Sequence, residues 1–230
     1  MTRAILFDLD DTLLDNSNER FLPAYFQALT HKLGHLVSPD EFVAHLIYAT
    51  QRVIANTDPT RTNKDVFWAD FLPAVGLPAD KLMPILQDFY THDFPRLKRF
   101  TRCLPEAHQV VQEAFDRGYD VVIATNPLYP RQAILHRLEW AGVAGFPYAL
   151  ITSYENMHFA KPQPAYYREI AERIGHAPEE CLMVGDDLDN DIRPASEAGM
   201  HTFWVTDDPG EDQPADWTGT LLDVERLIET

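Results

Sequence analysis

A chain of 230 residues, 45% of them apolar and 24% charged, is long enough to bury its own core without disulfide or metal staples. With 19 Lys and Arg against 36 Asp and Glu, the formal net charge is −17. That field repels nucleic acid and anionic membrane surfaces, so neither is an expected partner, and it repels a phosphorylated ligand unless a cation sits at the site.

Apolar runs predict buried strands at 4–7, 119–124, 148–151, 181–184 and 202–205. Most lack in/out alternation, as in a parallel sheet covered by helices on both faces. Helical stretches at 106–117, 130–140, 164–174 and 193–198 end at or near Gly118, Gly142, Gly175 and Gly199. Strand and helix alternate as in a doubly wound α/β domain. From about Asn16 to Asp93 no strand pattern appears. Phe21, Ala24, Tyr25, Ala28 and Leu29 recur at helical spacing, as do Phe42, Leu46, Ala49 and Val53, and Ser38-Pro39-Asp40-Glu41 reads as a helix start. Further helices are expected over 66–72 and 81–90. The chain therefore divides into an α/β core of residues 1–15 and 94–230 and an inserted helical domain of 16–93, with a hinge near Phe94-Pro95. Residues 207–216 read as a surface loop ahead of a last helix at 221–228.

Cys103 and Cys181 have no CxxC spacing and read as small core fillers, which suits a reducing compartment. No signal-peptide pattern and no apolar run of about 18 residues is present. A cytoplasmic location is expected, as a monomer or homodimer.

Carboxylates gather just past the ends of apolar strands, where open α/β sheets bind ligands. After 4–7 comes Asp8-Leu9-Asp10-Asp11-Thr12, and residues i and i+2 of an extended segment face one side. After 181–184 comes Gly185-Asp186-Asp187-Leu188-Asp189-Asn190-Asp191. Two such clusters repel each other unless a hard cation lies between them, and oxygen-only ligation suits Mg²⁺. An EF-hand fails, because Ile192 and Ala198 stand where that loop needs Gly and Glu. Thr125, followed by Asn126 and Pro127, ends another apolar strand, and Lys161 lies in Lys-Pro-Gln-Pro ahead of a helix. Nine histidines form no HxH or HExxH pattern, which argues against zinc. His158 reads as a loop residue.

In this order the motifs resemble those of the haloacid dehalogenase superfamily of phosphohydrolases. Asp8-Leu9-Asp10-Asp11-Thr12-Leu13 is similar to its first motif, Thr125 to its second, Lys161 to its third and Gly185-Asp186…Asp191 to its fourth. The likeness covers the core at both ends of the chain. The helical insert matches the family's C1 cap by placement alone. The resemblance implies a Rossmann-like α/β core and a phosphatase acting on a small phosphorylated metabolite. It implies Asp8 as nucleophile, Asp10 as general acid/base, and Mg²⁺ held by Asp8, the Asp10 carbonyl and Asp186. Thr125, Asn126 and Lys161 would bind the phosphoryl group, with Asp187 and Asp191 acting through metal waters or orienting the ligands. Asp10 favours P–O ester cleavage over the family's dehalogenase and phosphonate-cleaving branches. A phosphomutase of the same fold, or a non-catalytic metal- or ligand-binding relative, would carry the same residues. A response-regulator receiver is excluded by length, by the insert and by the position of its acid pair. Selectivity is expected in the insert, with Arg52, Arg61, Lys64 and Trp68 as candidate contacts. The aromatics Phe21, Tyr25, Phe42, Phe67, Phe71 and Phe89 read as packing.

Overall fold

A computed structural model describes residues 1–208 and 214–228. Six strands run parallel. They are β1 (Ala4–Phe7), β4 (Asp120–Ile123), β5 (Leu150–Ile151), β6 (Cys181–Gly185), β7 (His201–Val205) and β8 (Trp217–Gly219), in the spatial order β5-β4-β1-β6-β7-β8. The five expected strands are present, and β8 extends the sheet where no strand was expected. β1 is the centre. Ala4 to Phe7 are wholly buried and pair with Asp120–Ile123 on one side and Cys181–Val184 on the other. Chain order reverses about β1, so the ends of β4, β1 and β6 surround the switch point at which such sheets bind ligands.

Helices α5 (Pro105–Asp116), α6 (Arg131–Ala141), α7 (Pro164–Ile174), α8 (Arg193–Ala198) and α9 (Leu221–Ile228) cover the sheet. Each packs an apolar stripe, such as Ala107, Val110, Val111 and Ala114 on α5. α7 begins with Pro164 at its first turn and stops at Gly175, whose φ of +75° is the left-handed C-cap geometry that glycine adopts without strain. Of the expected loop 207–216, residues 209–213 lie outside the described residues.

Between β2 (Leu14–Asp15) and β3 (Arg102–Cys103), which pair antiparallel, every regular element described is helical. α1 (Asn18–Leu33), α2 (Pro39–Ile54), α3 (Asn63–Val75) and α4 (Ala79–Asp88) lead into a π turn at Phe89–Asp93 and a 3₁₀ segment at Phe94–Phe100. Ser38 takes the N-cap position of α2 without a side-chain cap bond, while α3 has a full capping box between Thr62 and Asp65. Phe94 is fully buried, stacked 5.4 Å from Trp140 of α6 and edge-on to Phe21 of α1 at 6.0 Å. The insert and the core thus share one aromatic cluster.

Cys181 is buried as expected, but Cys103 is exposed. Cys103 lies on a two-residue strand that, among the described residues, pairs only with β2, so it is an edge residue, not a core filler. Among the described residues no helix is long and apolar enough to cross a membrane.

Truncating Phe94 to Ala removes the ring that bridges α1 and α6. It should cost about 3–5 kcal/mol of stability by urea unfolding; a loss below about 1 kcal/mol would contradict its bridging place.

Candidate active site

Three adjacent strand ends deliver the candidate residues. β1 runs into Asp8, β4 into Thr125, and β6 ends at Gly185 ahead of Asp186. Lys161 enters from the loop before α7, and its buried ammonium donates to Asp8 Oδ1 at 2.6 Å and Asp191 Oδ1 at 2.5 Å. One carboxylate oxygen each from Asp8, Asp186 and Asp191 lie within 4.8 Å of one another. Gly185 makes this crowding possible, since a Cβ there would stand 2.3 Å from Asp191 Oδ2.

Electrostatics follow from the crowding. Burial, with the charges of Asp191, Asp186 and Asp10, pushes Asp8 well above the usual carboxylate range against the pull of Lys161. Burial, with Asp191 and Asp11, pushes Asp186 up to about 7. Burial also raises Asp191, against Lys161. Lys161 is itself desolvated, yet Asp191 and Asp8 hold it above the ordinary lysine range. One ammonium among three converging carboxylates leaves negative charge uncompensated.

The acids divide by what already engages them. Asp191 is committed twice, to Lys161 and, through Oδ2, to the Asp187 amide at 3.2 Å. Asp187 caps the following π turn, accepting from the Asp189 and Asn190 amides at 2.8 and 3.0 Å and from the Asn190 side chain at 2.7 Å. Both of its oxygens are thereby used within its own loop. Among the described residues the Asp186 carboxylate is held lightly, by the Thr12 hydroxyl at 3.2 Å, and Asp8 uses only Oδ1. Oxygens of Asp8 and Asp186 are therefore the least committed, and a hard divalent cation fits this oxygen-only donor set.

Asp10 lies beside them. The turn that follows it places Asp11 at φ +61°, an excursion Asp tolerates, with the Asp11 carboxylate accepting from the Asn16 amide at 2.9 Å. Asp10 Oδ1 accepts from Asn16 Nδ2 at 2.6 Å, and Oδ2 accepts from Arg137 Nη1. The Thr125 carbonyl accepts from Thr152 Oγ1 at 2.7 Å and from the Tyr166 hydroxyl at 2.8 Å, and the Thr125 hydroxyl makes no hydrogen bond among the described residues. Asn126 follows it, with a buried Oδ1 that has no hydrogen-bond partner among the described residues. His158 stays a loop residue. It and the Phe159 amide are gathered by the carboxylate of Glu169, which braces the loop leading to Lys161.

Asp8, Asp10, Thr125, Asn126, Lys161, Asp186, Asp187 and Asp191 all line one cavity of about 600 Å³ between the strand ends and the insert. Of the four insert residues considered, Lys64 and Trp68 reach it, and Arg52 and Arg61 do not. Arg52 pairs with Asp70 and Arg61 donates to the Asp65 carbonyl, both at exposed positions. Tyr25, Phe42, Phe67 and Phe71 pack as expected but also form part of the cavity wall.

Arg137 escaped sequence reasoning. Its side chain is 3% exposed, lies 4.6 Å over the Tyr129 ring, and has Asp10 as its ion-pair partner. The available signal was its place on α6 between Ala133, Ile134 and Ala141, a charge on an otherwise apolar face. The insert docks on the same region. Asn63 donates through Nδ2 to the Phe159 carbonyl at 3.0 Å and through its amide to Met157 at 2.7 Å, and Gln163 Nε2 donates to Ile54 at 2.6 Å.

A haloacid dehalogenase-like hydrolase family model matches residues 2–199, and the chain belongs to that family. A phosphoserine phosphatase of Thermus thermophilus is 34% identical over 230 residues, covering 88% of each chain. A glyceraldehyde 3-phosphate phosphatase of Methanopyrus kandleri is 30% identical and spans 99% of both chains. Among solved structures, the fold is shared with a phosphatase of this family from Thermococcus onnurineus (TM-score 0.60, 24% identity, 99% of this chain and 98% of that one). It is shared equally with a 2-haloacid dehalogenase of Pseudomonas syringae (TM-score 0.65, 19% identity, 100% and 99%).

Asp10→Ala leaves the buried Arg137 guanidinium without its carboxylate. It should destabilise the protein by about 3 kcal/mol in urea unfolding, with Asp10→Asn, which keeps an oxygen acceptor but no charge, costing no more than that. Equal and small losses in both variants would contradict the pairing.

Proposed function

We propose that the chain hydrolyses a phosphomonoester of a small metabolite through an aspartyl-phosphate on Asp8, with Mg²⁺ as cofactor. The observation that carries this reading is Asp8, bonded to Lys161 through Oδ1 alone among the described residues and converging with the lightly held Asp186, with Thr125 lining the same cavity. The family membership and the phosphatase names of the similar proteins support it. Residues 16–93 are assigned the role of a cap over the strand ends.

Phosphoryl transfer depends on positioning and charge neutralisation more than on covalent help from the protein. Asp8, Asp186 and the Asp10 carbonyl would hold the Mg²⁺, which neutralises charge on the nucleophile and the transferring oxygens when bound. Thr125 and Asn126 donate hydrogen bonds to phosphoryl oxygens, and Lys161 sets a fixed positive charge beside Asp8. A carboxylate oxygen of Asp8 attacks phosphorus as the P–O ester bond breaks, and Asp10, having taken up a proton on one of the oxygens paired with Asn16 and Arg137, gives it to the departing alkoxide. Asp10 then takes a proton from water. That water's oxygen attacks phosphorus, the bond to Asp8 breaks, and phosphate leaves. Asp191 keeps Lys161 aimed, and Asp187 keeps the loop of Asp186 and Asp191 in shape.

Asp8→Asn should lower Mg²⁺-dependent phosphate release by about 10³-fold or more while the variant keeps its fold by circular dichroism. Activity within tenfold of the unsubstituted protein would sink the nucleophile assignment.

A second expectation concerns pH. The folded pKa of Asp186 is raised to about 7, so its contribution to stability is present below its unfolded value near ~4 and is lost as pH rises through 7. In chelator the protein should lose Tm between pH 5 and pH 8 on this account, and Mg²⁺ should restore more of it at pH 8 than at pH 5. Thermal scans with and without Mg²⁺ check this. A Tm indifferent to Mg²⁺ at both pH values would remove the cation from the reading.

A further inference from the structure

The cavity extends well past the residues assigned to phosphate. Its volume of about 600 Å³ falls in the range of sites for drug-sized ligands, and a phosphate on a two- or three-carbon alcohol would occupy only its inner end. Polarity changes along its length. Beyond Asp8, Asp10, Thr125 and Lys161 the wall passes to the insert, where Phe26, Leu46, Phe67 and Trp68 face the space. Ile47 of α2 and Met83 of α4 also line it and are 43% and 39% exposed, so apolar surface continues to the opening.

Several of the polar side chains on this part of the wall are engaged with the protein; Trp68 Nε1 is buried without a hydrogen-bond partner among the described residues, and Lys64 adds one cation. Thr50 Oγ1 donates to the Leu46 carbonyl at 2.9 Å, and the hydroxyls of Tyr25 and Tyr90 bond each other at 2.9 Å. Gln87 Nε2 donates to Gln132 Oε1 at 3.1 Å, and Gln132 Nε2 donates to Thr91 Oγ1 at 3.1 Å. With only Trp68 Nε1 and Lys64 to meet among the donors just named, a sugar or other polyol would have to break these bonds to be recognised, or leave most of its hydroxyls unmet on apolar wall. An apolar body meets neither cost and gains from leaving water.

We propose, resting on the phosphatase reading above, that the substrate is a phosphomonoester whose leaving alcohol carries a bulky apolar body. That body, aryl-bearing or long alkyl, is seated against α1, α2 and α3. This sets the chain apart from the similar proteins named for phosphoserine and glyceraldehyde 3-phosphate, whose alcohols are short and polar.

The test compares primary esters of similar leaving-group basicity: ethyl, 2-phenylethyl and octyl phosphate, with glucose 6-phosphate as the polar body of comparable size. In Mg²⁺ the kcat/KM for the phenylethyl and octyl esters should exceed that for ethyl phosphate by about tenfold or more, from burial of the added apolar surface. Glucose 6-phosphate should fall at or below ethyl phosphate. Turnover of glucose 6-phosphate matching the phenylethyl ester, or rates independent of the body, would overturn the assignment while leaving the hydrolase standing. Thermal shifts with 2-phenylethylphosphonate against ethylphosphonate need no turnover. A larger shift with the phenyl compound, in a protein that releases phosphate from none of the esters, would support the pocket and refute the hydrolase. Filling the wall with Leu46→Trp should cut the phenylethyl-to-ethyl ratio by about fivefold or more. An unchanged ratio in a folded variant counts against the proposal.

Discussion

Everything at the strand ends is arranged around one buried ammonium. Lys161 reaches Asp8 and Asp191 together, and without it their carboxylates would face each other inside the protein with nothing between them. Much of the surrounding structure serves that placement. Glu169 gathers the amides of His158 and Phe159, so the loop arrives at Lys161 with its direction set. Gly185 leaves the space Asp191 fills, and the Asp187 amide holds the second oxygen of Asp191. The single ammonium still falls short of balancing Asp8, Asp186 and Asp191, and that shortfall is the physical reason to assign a divalent cation here.

The fold was legible because its signal is local. Strands buried on both faces read as unbroken apolar runs, and β1, β4, β6 and β7 appear within a residue or two of their expected ends. Short edge pieces carry no such signal. The two-residue strands β2 and β3 and the outer strand β8 depend on pairing partners brought from elsewhere, and Cys103 was misplaced for the same reason. At the site, Asp8, Asp10, Thr125, Lys161 and Asp186 were legible because each follows an apolar strand or leads into a helix in a recognisable order. Arg137 was not, since its pairing with Asp10 spans the distance between two elements and only its position on an apolar helix face hinted at it. Arg52 and Arg61 looked equal to Lys64 and Trp68 in sequence. The direction in which α2 and α3 present them separates the pairs.

In the proposed reading, chemistry and selectivity come from different parts of the chain. Core strand ends supply charged groups whose orientation is fixed by burial, while the insert supplies most of the apolar wall. The two are joined by backbone-directed hydrogen bonds from Asn63 and Gln163 and by the aromatic stack on Phe94, so a substrate body held against the insert is held relative to Asp8 as well.

The central claim is that Asp8 itself becomes phosphorylated, and it can be tested by trapping. Acetyl phosphate needs no proton donor for its leaving group, so Asp10→Asn should still accept the phosphoryl group from it but release it slowly. After acid quench and digestion, mass spectrometry should find one phosphoryl group on the peptide containing Asp8, formed in Mg²⁺ and absent in chelator. No adduct, or an adduct on another residue, in a preparation whose unsubstituted parent releases phosphate would contradict the claim.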